Sequence, residues 1–110
     1  VNGRLSPAAQ RGRKIFEDKS TGCAVCHPGP LFTDLKSYDV GTGGRLDKPG
    51  QLFDTPTLVE LWRTGPFLHD GSAATLVEVM DDARRSGKHG QVSPLSDQQV
   101  EDLVAYLLSL

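Results

Sequence analysis

The stretch of sequence that decides the fold is CAVCH, residues 23–27, in which two residues separate a pair of cysteines and a histidine follows the second. This spacing is the attachment signature of a c-type haem. Each thiol adds to one vinyl group of the same porphyrin, and the histidine then lies beneath the ring, where its imidazole can bind the iron. Cys23 and Cys26 are the only two cysteines of the chain. We therefore predict one covalent haem c, with His27 as its first axial ligand.

Two other uses of a CxxC pair fit the sequence less well. A redox-active disulfide is normally surrounded by alternating strand and helix patterns, which this sequence does not show. A closed zinc site needs four ligands, and neither a second CxxC pair nor an HxxxH pair follows residues 23–27.

The composition limits the class of protein. A chain of 110 residues is expected to form a single mono-haem domain, residues 1–110, either mature after secretion or excised from a larger protein. A net charge of −2 argues against nucleic acid as a partner, and no apolar run reaches the about 20 residues that cross a bilayer. Because haem is attached to this motif outside the cytoplasm, we expect a periplasmic or extracellular protein.

The hydrophobic fraction is 37%, which is low for a self-sufficient core, and the 12 glycines and 7 prolines indicate long loops. An apolar macrocycle at the centre would supply the missing core. We therefore predict that the chain without haem does not fold stably.

Capping signals predict four helices and no strands. Ser6-Pro7 begins a helix that ends near residue 19, and Thr-Pro or Thr-x-x-Glu signals begin a second helix at residue 55 and a third at residue 76 that ends near residue 85. A Ser-x-x-Gln signal begins an amphipathic helix after residue 96. The predicted fold class is therefore all-α.

The loops between these helices are expected to surround the haem. In residues 28–32, which include Pro30, a backbone carbonyl is predicted to accept the second imidazole N–H of His27. Residues 33–54 read as irregular, and we expect them to wrap the macrocycle. Their apolar candidates for covering it are Leu46, Leu52 and Phe53.

This order of elements resembles class I cytochrome c, over nearly the whole chain. The resemblance implies a cytochrome c fold in which the N- and C-terminal helices cross and long loops wrap one haem. It also implies that the two helices meet through a small residue and aromatic rings, here Gly12, Phe16 and Tyr106.

Four strings of residues carry a closer resemblance: 5–12, 26–34, 55–58 and 69–72 are similar to the C-terminal domain of di-haem cytochrome c peroxidases and MauG-like proteins. Those enzymes have two CxxCH motifs and this chain has one, so their peroxidatic chemistry is not carried over. Single-haem modules fused to larger redox proteins also resemble this chain, with an ending like residues 88–93.

Three residues are candidates for the sixth iron ligand. His89 lies in a glycine-flanked loop before the last helix and would give bis-histidine ligation with a low potential. Met80 is the only methionine and would raise the potential, although it also fits core packing in the third helix. His69 belongs to a His-Asp-Gly turn, where the resemblance implies a hydrogen-bonding group near the haem; Asp70 is a candidate partner.

The haem propionates need donors, and the side chains suited to them are Arg45, Trp62 and Arg63. A solvated surface position is the alternative for each arginine.

We expect a six-coordinate haem that transfers electrons without being an enzyme itself, with a redox protein or a fused catalytic domain as partner. Two alternatives remain open: a peroxidase-type haem domain, and a ligand-binding sensor whose sixth ligand can be displaced.

Overall fold

The computed structural model describes residues 4–44 and 46–110. Along the chain, its elements are α1 (Pro7–Glu17), α2 (Cys23–Cys26), β1 (Ser37–Tyr38), β2 (Phe53–Asp54), a 3₁₀ turn (Leu61–Arg63), α3 (Leu76–Ser86) and α4 (Asp97–Leu107). Helices dominate, and the predicted all-α class with N- and C-terminal helices that cross is confirmed. None of the described helices is both long and apolar enough to cross a membrane.

The three long helices begin at the predicted caps. The Ser6 hydroxyl accepts the Ala9 amide, and Thr75 accepts the amide of Glu78. At the start of α4, Ser96 and Gln99 cap each other reciprocally. Each side chain satisfies backbone N–H groups that a helix start leaves without a partner, which is why the capping signals located these helices well.

Helices α1 and α4 cross through the predicted contact. A β-carbon at Gly12 would lie 1.9 Å from the Asp102 carbonyl oxygen, so only glycine allows the backbones to come this close. Beside it, the rings of Phe16 and Tyr106 meet edge to face with centroids 5.4 Å apart. Arg11 closes the crossing through two hydrogen bonds to the buried Asp102 carboxylate, at 2.9 and 3.0 Å.

The apolar core is shared by α1, α3 and α4. Helix α3 contributes one stripe of side chains at helical spacing, and α4 contributes the stripe that faces it. The buried apolar residues of these helices are Ala9, Phe16, Leu76, Val79, Met80, Ala83, Val100, Leu103, Tyr106 and Leu107.

The predicted helix at residue 55 is wrong. Thr55 donates its amide to the Lys36 carbonyl at 2.8 Å, and the Thr57 hydroxyl donates to the Leu31 carbonyl at 2.5 Å. These bonds to the preceding loop hold the segment extended, and only the single 3₁₀ turn follows before Gly65. Thr55-Pro56, which is predicted from the sequence to start a helix, instead connects two loop segments.

The prediction of no strands is also wrong, on a small scale. Ser37 pairs with Asp54 and Tyr38 with Phe53 in an antiparallel two-stranded sheet. Two-residue strands are too short to show an alternating pattern in sequence. The sheet joins the two ends of the irregular segment, so that the described residues between the strands, 39–44 and 46–52, belong to one loop anchored at its base, which we call the 39–52 loop.

Candidate haem site

The CAVCH motif is presented by a single turn of helix. The Thr21 hydroxyl donates to the Ile15 carbonyl at 2.6 Å and fixes the chain directly after α1. Gly22 then takes a left-handed conformation, φ +75°, and starts α2. Cys23 and Cys26 are three residues apart on this turn and therefore share a face; both are free thiols. This is the arrangement that two thioether bonds to one porphyrin edge require.

His27 is buried, and its ring is fixed in one tautomer. Its Nδ1 lies 2.8 Å from the Phe32 carbonyl oxygen. A carbonyl can only accept, so Nδ1 carries the proton and the lone pair of Nε2 is free. Burial lowers the pKa of His27, although the Phe32 carbonyl opposes this, and the imidazole is therefore neutral at neutral pH. The acceptor lies in the predicted loop, at Phe32; the neighbouring Pro30 is exposed.

The surroundings of the thiols include a tyrosine that the sequence did not reveal. Burial raises the pKa of the Cys23 thiol, with the Thr21 hydroxyl acting in the opposite direction. The Tyr38 hydroxyl donates to Asp34 at 2.5 Å, and this bond, with burial and the nearby Cys26, raises the pKa of Tyr38. No sequence signal marks Tyr38, because it reaches the motif only through the pairing of β1 with β2.

A second histidine is held against the motif by the segment that we call the His89 loop, residues 87–92. The Gln91 amide donates to the Thr21 carbonyl at 2.9 Å. Gly90 has φ +76°, and a β-carbon there would lie 3.1 Å from the same oxygen. On the opposite side, the Lys88 ammonium donates to Asp39 at 2.9 Å. The His89 loop is therefore held on one side by Thr21 and on the other by Asp39, at the start of the 39–52 loop.

The His89 loop lies against Thr21, two residues before the CAVCH motif, so His27 and His89 lie on neighbouring segments. Burial lowers the pKa of His89, and the positive charge that His27 would carry lowers it further. Nδ1 of His89 is buried and has no hydrogen-bond partner among the described residues. Met80, by contrast, packs among the apolar side chains of the core on α3.

His69 uses both of its ring nitrogens in contacts with the 39–52 loop. Nε2 lies 2.9 Å from Asp47 Oδ2, and Nδ1 lies 3.3 Å from the Thr42 hydroxyl. The ring stacks on Phe53 with centroids 3.7 Å apart. The candidate partner Asp70 is wrong: its carboxylate accepts the Ser72 amide instead. The geometry gives His69 the role of fastening this loop.

Two of the three predicted propionate donors, Trp62 and Arg63, are adjacent on the 3₁₀ turn, and both are exposed. Arg63 pairs with Glu60, with Nε 3.1 Å from the carboxylate. Trp62 is 61% exposed and lines an apolar groove of about 300 Å³ together with Phe67 and Leu76. Arg45 lies outside the described residues. Their role toward propionates stays a prediction.

The predicted covering residues differ in their placement. Phe53 is half-buried against His69, whereas Leu46 is 94% and Leu52 60% exposed. Such exposure of large apolar side chains leaves hydrophobic surface that a bound macrocycle would cover.

The donor set fits haem c rather than a bare metal ion. Among residues 4–44 and 46–110, no group of three or more His, Cys, Asp or Glu side chains could hold an ion. A porphyrin supplies four nitrogens of its own, so the protein needs only axial ligands and, for haem c, two thiols. Cys23 and Cys26 supply the thiols, and the free Nε2 of His27 and the half-buried imidazole of His89 suit the axial positions.

Comparison with known proteins also indicates a protein that binds haem c. The family model described as cytochrome c matches residues 9–110. The chain is 34% identical to hydrazine synthase subunit gamma of Kuenenia stuttgartiensis, over 100% of this chain and 43% of that protein. It is 33% identical to the methylamine utilization protein MauG of Methylophilus methylotrophus (96% and 37%), and 29% identical to the cytochrome-c peroxidase IdrP1 of Denitromonas iodatirespirans (96% and 41%).

A solved structure of hydrazine synthase from Kuenenia stuttgartiensis superposes with a TM-score of 0.86 at 33% identity, covering 100% of this chain and 48% of that one. The chain thus spans less than half the length of the relatives that it matches. These relatives correct one expectation. We predicted a protein that is not an enzyme, whereas the relatives are named as enzymes or enzyme subunits.

Proposed function

Because the chain belongs to the cytochrome c family, we propose that it is the electron-transferring haem c module of a larger redox enzyme, with the iron held between His27 and His89. One haem would be attached through Cys23 and Cys26. The observation that carries the proposal is the tautomer of His27, the residue directly after Cys26. Its Nδ1 donates a hydrogen bond to the Phe32 carbonyl, so the lone pair of Nε2 is left for a metal.

His89 is favoured as the sixth ligand over Met80. Burial and the neighbouring imidazole lower the pKa of His89, which keeps its ring neutral, and neutral imidazole is the form that binds iron. Gln91 and Lys88 hold the loop in place from two sides. Met80 already contributes to the packing of the core on α3, where its thioether fills apolar space.

When bound, haem c supplies a one-electron ferric–ferrous couple whose potential is lower with two histidines than with histidine and methionine. The protein's part is to keep the coordination the same in both states. Phe32 orients His27, the two thiols tether the macrocycle, and the clamped His89 loop limits movement of the second imidazole. Electron transfer is favoured when the coordination of the iron changes little between the ferric and ferrous states.

A second function is supported by the relatives named as cytochrome-c peroxidases. A peroxidase-type reaction needs an open sixth position, so His89 would have to leave the iron. The bonds from Gln91 to Thr21 and from Lys88 to Asp39 would then have to break or stretch. We therefore rank this function second.

The length of the relatives supports the rest of the proposal. Since the chain covers 37 to 43% of the three relatives described above, we propose that the electron partner is another domain or subunit of the same enzyme. Attachment of haem to this motif takes place outside the cytoplasm, and we propose the periplasm as its location.

The test uses the haem-loaded protein, produced together with a cytochrome c maturation system. A denatured polypeptide that retains one haem, and rapid reversible reduction and reoxidation by small redox dyes, would support the electron-transfer module. Little reaction of the ferric form with peroxide, and of the ferrous form with carbon monoxide, is expected. Fast reaction with peroxide would contradict the first function in favour of the second.

A further inference from the structure

An apolar groove opens on the surface where three elements meet: the 3₁₀ turn, the first turn of α3 and the end of α4. We call it the Trp62 groove. Its volume is about 300 Å³, and its large apolar lining residues include Trp62, Phe67, Val77, Val104 and Leu108. None of the residues that line it belongs to the CAVCH motif, the 39–52 loop or the His89 loop. The groove is therefore a different surface from the candidate haem site.

Three large apolar side chains of the groove are exposed beside a well-packed core. Trp62, Val77 and Leu108 are 61%, 44% and 47% exposed. The core takes Leu76 from α3 and Leu107 from α4, and the next residue along the chain, Val77 or Leu108, stays outside it. Single exposed apolar residues need no explanation, but several on one surface mark an interaction site.

Backbone hydrogen bonds hold the walls of the Trp62 groove in place. The Glu60 amide donates to the Leu110 carbonyl at 2.9 Å, which joins the segment before the 3₁₀ turn to the residues after α4. On the side of α3, Phe67 and Ala73 form an isolated antiparallel bridge, with the Phe67 amide 2.7 Å from the Ala73 carbonyl oxygen. A surface that is fixed in this way loses little conformational entropy when a partner binds.

Both helices carry acidic side chains along the faces that lead away from the groove. On α4, one face consists of residues spaced by three or four positions: Asp97, Glu101, Val104 and Leu108. On α3, Asp81 lies four residues after Val77 and shares its face. The guanidinium of Arg84 is already engaged, 3.2 Å from Asp97 and 3.9 Å from Asp81. The two faces together therefore carry more negative than positive charge.

This charge decides which kind of partner fits the groove. A second copy of the chain would bring the same acidic faces to the interface, where like charges repel. A nucleic acid or an anionic membrane would be repelled for the same reason. A protein surface with an apolar side chain at its centre and Lys or Arg around it is complementary in both respects.

The length of the relatives indicates where such a protein surface is found. This chain covers 43% of hydrazine synthase subunit gamma and 37% of MauG, so most of each relative lies outside the matched part. We propose that the Trp62 groove is the docking face for a further domain of the same enzyme, which inserts an apolar side chain and places basic residues against Asp97 and Glu101. The inference rests on the proposed function, in which the electron partner belongs to the same enzyme.

The first experiment identifies the occupant by photo-cross-linking in the complete, haem-loaded enzyme. Trp62→p-benzoylphenylalanine is compared with Lys14→p-benzoylphenylalanine, a control on an exposed position of α1. After irradiation, the cross-linked peptides are identified by mass spectrometry. We expect position 62 to cross-link to a peptide outside residues 1–110 that contains Lys or Arg, and position 14 to give no such product.

Three results of this experiment would overturn the docking face. One is a cross-link from position 62 to residues 1–110 of a second copy. Another is a cross-link to the haem, which is expected if Trp62 instead bonds a propionate. The third is a yield of cross-linked peptide at position 62 that does not exceed the yield at position 14.

The second experiment measures the rate of electron transfer between this haem and the rest of the enzyme after rapid reduction. It compares wild type with Leu108→Glu and with Val77→Glu, which guards against misfolding of the first variant. The control is Leu35→Glu, the same apolar-to-acidic change in the loop after the CAVCH motif. Leu35 is 85% exposed and does not line the groove.

We expect each groove variant to slow the transfer about tenfold while the midpoint potential and the ferric spectrum stay unchanged. Higher ionic strength should slow the wild-type transfer, because salt screens the attraction between the acidic faces and a basic partner. Equal rates in the groove variants and Leu35→Glu, or slowing by Leu35→Glu alone, would overturn the docking face.

Failure of the premise has a different signature. A wild-type haem that small redox dyes do not reduce reversibly overturns the proposed function, and with it the assignment of this face to an electron partner. Normal reduction by dyes, combined with no excess cross-linking at position 62, leaves the proposed function standing and removes only the docking face.

Discussion

The two sides of the candidate haem site differ in how completely the protein builds them. On the His27 side, the ligand, its hydrogen-bond acceptor Phe32 and both thiols lie within ten consecutive residues, and the imidazole is already fixed. On the opposite side, His89 comes from a loop far along the chain, and its Nδ1 has no partner among the residues that the structure describes.

This difference shows which side depends on the rest of the fold. The first side is local and needs only the turn that Thr21 and Gly22 start after α1. The second side needs α3, the 39–52 loop and Thr21 to meet before His89 is in place. We therefore expect damage to the first side to abolish attachment of haem, and damage to the second to change the coordination of a haem that stays bound.

The largest effect should follow from removing both thiols. In Cys23→Ala/Cys26→Ala we expect no covalent haem, and also loss of helical circular dichroism, because the apolar macrocycle is absent from the core. Mass spectrometry of the denatured polypeptide measures attachment. Val25→Ala is the control: this side chain lies inside the motif but is 71% exposed, and the variant should retain haem. Full helicity in the double variant would contradict the predicted dependence on haem.

The next effect should come from the sixth ligand. In His89→Ala we expect haem to remain attached while the ferric spectrum changes from low-spin to high-spin, since one axial nitrogen is lost. Met80→Leu is the matched control on the competing candidate and should keep the wild-type spectrum, with a modest loss of stability of less than about 1.5 kcal/mol. The reverse pattern would assign the ligand to Met80.

A smaller effect is expected from two glycines with positive φ. Gly22→Ala and Gly90→Ala should each destabilise the protein by roughly 1–2 kcal/mol, because an L-residue strains this backbone conformation. Only at Gly90 would the new β-carbon also press on a neighbour, the Thr21 carbonyl at 3.1 Å. We therefore expect Gly90→Ala alone to speed the binding of cyanide to ferric haem. Equal cyanide rates in both variants would show that the Thr21 contact does not hold the His89 loop.

The smallest effect concerns the helix crossing that supports both sides. The hydrogen bonds from Arg11 hold the pKa of Asp102 below its usual value, against the opposing effect of burial. At a pH above about 3.9, the pKa of Asp102 in the unfolded chain, the ion pair stabilises the folded state fully. This contribution is lost as the pH falls through the lower pKa that Asp102 has in the folded state.

In urea titrations of the haem-loaded protein, Asp102→Asn should be less stable than wild type at pH 7. The gap should narrow in acid, below about pH 4. The exposed neighbour Glu101 provides the control Glu101→Gln, which should follow wild type. A gap that is constant with pH would mean that packing, and not the ion pair, accounts for the loss.

The fold was largely predictable from local signals. Capping side chains such as Ser6, Thr75 and Ser96 act on backbone groups within three residues, so they mark helix starts wherever they occur. The signal at Thr55 misled, because its amide and the Thr57 hydroxyl bond to loop carbonyls that are distant in sequence. Tertiary partners of this kind leave no local pattern.

The candidate haem site was likewise predictable where its contacts are local in sequence, and not where they are distant. The CAVCH motif and a carbonyl acceptor for His27 could be read from neighbouring residues, whereas the partner of His69 could not. Asp47 reaches His69 only because the 39–52 loop folds back at the sheet, whereas adjacency in the sequence favours Asp70. Tyr38 leaves no sequence signal for the same reason, since it meets the motif only through the pairing of β1 with β2.

The ligation of the wild-type iron tests the central claim most directly. We predict that the ferric, haem-loaded protein is low-spin, with the electron paramagnetic resonance and near-infrared signals of two axial imidazoles and without the weak red absorption of a methionine ligand. A methionine-type band, or a high-spin spectrum with one axial ligand, would contradict the pairing of His27 with His89 across the haem.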